Sequence, residues 1–223
     1  MQLHRTLVAF ASVGVLALGA AACGSDDDSG STSTAAAAKA KPVAQIDSLT
    51  GKDTSVALDG GFLKALGTLK LTPAAVGSAA ISKTRVASFP ITGGNVTYYK
   101  PGSVSPYVQG EIDHDGSGLS LTSADGKKVE LTDFVVDPGT STLTGTVSVD
   151  GKVAADSAPL FFLDGRTLQP LKTNSSAGTA TLQGTTVKLK QDAAALLNKT
   201  FGTDALKGGL PIGVATITVN TAA

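Results

Sequence analysis

Residues 111–118 read Glu-Ile-Asp-His-Asp-Gly-Ser-Gly and hold the densest set of potential ligands in the chain. Aspartates at alternate positions ahead of a glycine suggest a calcium loop. With a twelve-residue loop started at Asp113, Asp115, Ser117 and Gly118 fit positions three, five and six. Leu121 and Ala124 then fall at nine and twelve, where a ligand and a bidentate carboxylate are needed. A helical calcium hand is excluded. A looser β-loop calcium site is the sharp alternative, and a polar turn between two strands is the favoured reading. His114 is one of two histidines, and the other, His4, lies in the apolar leader. A lone histidine excludes catalysis at a multi-histidine metal centre. It leaves a single metal or haem ligand as the chemical option. Tyr98, Tyr99 and Tyr107 are the only tyrosines. With His114 they form a candidate ligand-binding patch, for which cross-strand packing is the competing explanation. In a strand Tyr98 and Tyr99 face opposite sides. With Asp113, Asp115 and Glu111 beside it, His114 is expected at a strand end near the surface, its protonated form favoured by negative neighbours. Its truncation to Ala should then change stability little.

Enzymatic chemistry finds few footholds. No Gly-x-Ser-x-Gly elbow presents a serine, Trp is absent, and outside the leader the arginines are Arg85 and Arg166. A hydrolase using paired carboxylates is the surviving enzymatic reading. Eighteen basic residues balance eighteen acidic ones, so nothing attracts nucleic acid and none is expected as a partner.

The elements that must position these groups are mostly strands. Runs over 86–91 and 96–99 flank a turn at 92–95, and Pro90 places the first at an edge or bulge. Further strands are expected at 107–114, 119–122, 128–133, 134–137, 143–149 and 152–156. Asp125-Gly126 and Asp150-Gly151 mark hairpin turns. Residues 160–163, Leu-Phe-Phe-Leu, suggest a central strand covered on both faces. Asp59 can cap a helix bearing Phe62, Leu63, Leu66 and Leu69. Asp192 can cap another bearing Ala193, Leu196, Leu197 and Phe201, stopped by Gly202. The two strand–helix–loop–strand ends echo each other as a loose pseudo-repeat. The fold expected is mainly β: an antiparallel β-sandwich or flattened barrel of about ten strands with two short helices.

Residues 1–22 have a weakly basic start, an uncharged run from Leu7 and a small-residue exit, the pattern of a secretory signal peptide. The exit, Gly19-Ala20-Ala21-Ala22-Cys23-Gly24, resembles the lipobox of bacterial lipoproteins, with Ala20 where that family usually has Leu. Cys23 is the only cysteine, so it has no internal disulfide partner. The resemblance implies lipidation of Cys23 and a membrane anchor. Residues 23–42 hold three aspartates and Ser, Thr, Ala and Lys without apolar periodicity, which suits a disordered tether. Residues 43–223 form the single β-rich domain.

The segment 110–121, the strand 129–134 and the ending Leu189, Ala194 to Asn198, Phe201-Gly202 and Ile212-Gly213 resemble the HtaA-type domain of secreted and surface proteins of actinobacteria. The resemblance spans 56–219. It implies haem binding through a tyrosine in the opening helix, supported by a histidine that His114 matches. The opening helix here has no tyrosine, so a haem site would need Tyr98 or Tyr99. Three readings follow. The first is an exported, lipid-anchored envelope protein whose non-enzymatic β-domain binds or scaffolds a partner or small molecule, with no cofactor. The second is a haem or other small-ligand carrier of HtaA type. The third is the secreted hydrolase.

Overall fold

The computed structural model describes residues 40–221; the leader, Cys23 and the tether as far as residue 39 lie outside the described residues. In chain order the elements are β1 (Ala44–Ile46), β2 (Lys52–Leu58), α1 (Gly60–Thr68), β3 (Thr72–Gly77), β4 (Ala80–Ile81), β5 (Val86–Pro90) and β6 (Gly93–Tyr98). The long strands β7 (Val108–Thr122), β8 (Lys128–Asp137), β9 (Thr142–Val149) and β10 (Lys152–Asp164) follow. A 3₁₀ turn (Gly165–Thr167), β11 (Lys172–Asn174), β12 (Thr179–Leu189), α2 (Gln191–Phe201) and β13 (Pro211–Asn220) come after them. Among the described residues no helix is long and apolar enough to cross a membrane.

The strands form one antiparallel sheet in the order β1-β6-β7-β8-β9-β10-β12-β13-β2-β5-β4, with β11 added on β12 and β3 on β7. The sheet curls into a half-barrel, mainly β with two helices, as expected in class. Bulges accompany the curl. Along β8, Val129, Leu131, Phe134 and Val136 are buried, and the buried set crosses from odd to even positions at Asp133, whose φ of 53° marks a bulge. That bulge keeps one apolar face inward along the whole strand. Phe89 on β5, Phe134 on β8 and Phe161 on β10 then meet edge to face across the concave side, with ring centroids 5.4 and 6.4 Å apart. Such pairs add about 0.5–1.5 kcal/mol each beyond their burial.

The helices cover the remainder. Asp59 caps α1 as expected, its carboxylate accepting from the amides of Gly61 at 2.7 Å and Phe62 at 3.1 Å. Helix α2 is capped differently: Lys190 holds the cap position and Asp192 lies in the first turn, where it favours the helix dipole. Gly202 ends the helix in the left-handed conformation, φ 63°. Leu197 and Ala193 of α2 lie over Leu131, Val147 and Leu160.

Several local expectations change. The strands expected at 107–114 and 119–122 are one strand, β7, and the anticipated turn at 113–118 is a bulge within it. The register against β8 jumps between His114↔Phe134 and Gly118↔Thr132. Strands 128–133 and 134–137 likewise merge into β8. β5 and β6 are consecutive but unpaired, since β5 joins β2 and β6 joins β7. Pro90 does sit at an edge: it faces Asp53 of β2, while β4 pairs only with Ser88 and Ala87. Phe162 in the 160–163 run is 44% exposed, so that strand is covered on one face there. The pseudo-repeat is local only, because β13 returns beside β12 whereas β3 leaves β2 to pair with β7.

Candidate functional site

The concave face of the curled sheet lines a half-open cavity of about 680 Å³. Its walls come from both ends of the strand order, with Val56 of β2 and Phe89 of β5 on one side and Leu119 of β7, Val136 of β8 and Leu182 of β12 on others. This volume lies within the range of small-molecule sites, roughly 300–1,000 Å³, and the lining is mostly apolar. Antiparallel register defines one end of it. Ile112 faces Val136 and Phe162 faces Thr142. The segment before β7, the β8–β9 turn and the end of β10 therefore share an end, and Pro106, Pro138 and Arg166 line the cavity there.

His114 reaches the cavity from farther along β7, and its setting differs from the expectation. It is 1% exposed, not at a strand end or on the surface. The alternation of β7 turns it inward, and the bulge after it carries Asp115 and Gly116 out to solvent. Its Nδ1 lies 2.9 Å from the Pro90 carbonyl oxygen and its Nε2 3.1 Å from the Thr54 hydroxyl. A carbonyl only accepts, so Nδ1 carries the proton and the neutral ring accepts from Thr54 at Nε2. The ring thereby joins β7 to β2 and β5 across the half-barrel. Burial pushes its pKa below the usual value and outweighs the Pro90 hydrogen bond and the charges of Asp113 and Asp115. The expectation that protonation is favoured is thus corrected: desolvation disfavours the charged form more than two partly screened aspartates favour it.

The tyrosines divide. Tyr98 is buried at the end of β6 and meets Tyr107 edge to face, centroids 5.8 Å apart. It lines a separate small space of about 60 Å³. Tyr99 is half-buried just beyond β6 and lines neither space. Tyr107 does line the cavity with His114, and burial together with Tyr98 raises its pKa. The candidate patch of three tyrosines and a histidine therefore reduces at the cavity to Tyr107 and His114.

Sequence reading passed over an ionic cluster at the mouth. Asp164, buried at the end of β10, accepts from Arg166 Nε at 2.8 Å, Arg166 Nη2 at 2.6 Å and Lys188 Nζ at 2.8 Å. These hydrogen bonds hold its carboxyl well below the usual carboxylate range, with Arg166 the larger cause. The available signal was weak: Asp-Gly-Arg directly after an apolar run, with one of the chain's few arginines. Among the described residues no three His, Cys, Asp or Glu side chains converge on a metal-sized site. Asp133 caps the β7 bulge by accepting from the Gly116 amide at 2.9 Å.

A single curled β-sheet with an internal apolar cavity and a polar latch is the class of domain these features define. The solved structures include a likeness to it. The C-terminal domain of HtaA from Corynebacterium glutamicum superposes with a TM-score of 0.53 at 13% identity, covering 78% of this chain and 98% of that one. A domain-swapped dimer of its H434A variant matches with a TM-score of 0.45, also at 13% identity, covering 73% of this chain and 91% of that one. The likeness establishes a shared fold. No family model and no curated protein sequence matches the chain.

The haem implied by the sequence resemblance can be tested against these residues. Helix α1 offers no tyrosine, Tyr98 and Tyr99 are absent from the cavity wall, and the one lone pair of His114 accepts the Thr54 hydroxyl. The cavity suits a bulky apolar body; of its lining, Tyr107 is the one phenol that would be left to ligate iron, since His114 is engaged by Thr54 and Pro90.

Proposed function

We propose that this domain is a small-ligand carrier or receptor module of the HtaA type, seating a bulky, largely apolar molecule in the cavity beside His114. The observation that carries this reading is the half-open space of about 680 Å³ with apolar walls and few polar groups. A domain serving only as a scaffold has no need to leave such a volume unfilled, since side chains pack interiors densely. The shared fold with the HtaA domain supports the same reading. Binding is favoured over catalysis because the cavity holds one neutral histidine and a carboxylate already engaged by two cations. The leader and Cys23 support placing the module outside the cell, held to a membrane by lipid.

The test is titration of the purified full-length protein with the neutral fluorophore N-phenyl-1-naphthylamine. The Leu168→Trp variant, which adds bulk at a half-buried position of the cavity wall, serves as the comparison. Saturable enhancement that Leu168→Trp abolishes is expected. Enhancement indifferent to that substitution would place the dye elsewhere and refute the reading. Hemin added in parallel should give no His114-dependent Soret band. A stable band lost in His114→Ala would instead make haem the cargo and His114 its ligand.

A further inference from the structure

Charge inside the cavity is confined to one place. Of the residues lining it, Asp164 and Arg166 are the only acidic or basic ones besides His114, whose buried ring is neutral. Both stand at the mouth, where β10 ends and the chain turns. Lys188 adds a second cation to the same carboxylate from the neighbouring strand. One carboxylate held by two cations leaves a net single positive charge at the rim of an otherwise apolar chamber.

The geometry also leaves donors to spare. Arg166 uses Nε and one Nη2 hydrogen on Asp164, and no other acceptor contacts its guanidinium among the described residues. A guanidinium carries five N–H donors in a planar fork, so three remain unused. Its side chain is 83% exposed, so an incoming group can reach it without unpacking the fold. Asp164, 8% exposed and tied to Lys188, fixes the base of that fork and limits the freedom an arginine would otherwise lose on binding.

Resting on the cavity reading above, we propose that the cargo is a single-headed anionic amphiphile, a long-chain carboxylate, whose tail fills the chamber and whose carboxylate docks on the free donors of Arg166. Lys188 holds Asp164 in place as the positioning partner. The apolar walls supply affinity, and the rim selects for one acidic group over a neutral head of the same size. A dianionic head would exceed the single net charge available, and a cationic one would meet Arg166 and Lys188 directly.

Competition against bound N-phenyl-1-naphthylamine tests this with dodecanoic acid and 1-dodecanol, which share a tail and differ in the head. The acid should displace the dye about tenfold more effectively than the alcohol, the difference one charge-assisted hydrogen-bonding group makes. In Arg166→Gln that ratio should fall to near one, with dye binding still saturable and some melting temperature lost as Asp164 keeps only Lys188. Arg166→Lys, which keeps the charge without the fork, should retain part of the preference. Equal displacement by acid and alcohol in the unmodified protein overturns the head-group inference while the cavity reading stands. A preference that survives Arg166→Gln also overturns it, because selection would then lie elsewhere. Failure of both ligands to displace dye that is itself sensitive to Leu168→Trp excludes long-chain cargo. Dye binding indifferent to Leu168→Trp brings down the cavity reading itself.

Discussion

Acidification should destabilise this domain through His114. In the folded state burial lowers the pKa of the ring, while in the unfolded chain it returns to about 6.5. Below that value the unfolded state binds a proton the folded state refuses, so stability is fully present above about pH 6.5 and is lost as pH falls toward the depressed folded value. If the folded ring stays neutral throughout, moving from pH 7.5 to 5.5 removes about 1.4 kcal/mol. For a domain of this size that corresponds to a fall of roughly 3–5 °C in Tm. No second histidine lies among the described residues to share the effect. Urea unfolding of the unmodified protein and of His114→Gln at both pH values measures it. Gln can still donate to the Pro90 carbonyl but cannot titrate, so its loss should be small. Equal pH slopes in the two proteins would refute the assignment. Stabilisation of the unmodified protein by acid would show that Asp113 and Asp115 prevail over burial.

Gly118→Ala should cost about 3 kcal/mol, the upper end of overpacking, because its Cβ would press on the Leu131 carbonyl oxygen and come within 2.8 Å of Thr132 Cα; chemical denaturation checks it. Gly116→Ala, with open space around it but a φ of 66°, should cost only about 1 kcal/mol in the same assay. Asp59→Ala removes both cap hydrogen bonds of α1 and should lower stability by about 1 kcal/mol, read from the denaturation midpoint at unchanged m-value. Cys23→Ala should move the protein from the membrane to the soluble fraction on cell fractionation without changing the melting of the β-domain.

What the sequence made legible was local. The Asp150-Gly151 turn, with φ of 50° and 77°, joins β9 to β10 as its composition demands, and Asp59 and Gly202 act as cap and stop. The bulges were not legible. A bulge is defined by the partner strand's register, and Asp-Gly-Ser-Gly inside β7 has the composition of a loop when β8 is unseen. His114 was misplaced for the same reason. Its immediate neighbours are charged, whereas the groups that fix it, Thr54 and Pro90, come from other strands. The rim cluster depends on Lys188 of β12 meeting Asp164 of β10, a pairing that no spacing announces.

The place of β2 in the sheet bears on how the molecule is made. Residues 52–58 pair with residues 213–219 on one side and with β5 on the other. Until β13 has left the ribosome, β2 lacks its interior neighbour and stands as an open edge with α1 and β3 attached. Meanwhile β7 to β10 can already zip as consecutive hairpins. The early segment is therefore the one most in need of shielding from other chains during synthesis. Closure of β2 against β13 is a late, long-range event, and it also completes the cavity by bringing Val56 and Ala215 to its wall. A nascent chain stopped before residue 211 should carry a β7–β10 meander protected from proteolysis and a β2 that is cut, with no chamber to receive a ligand.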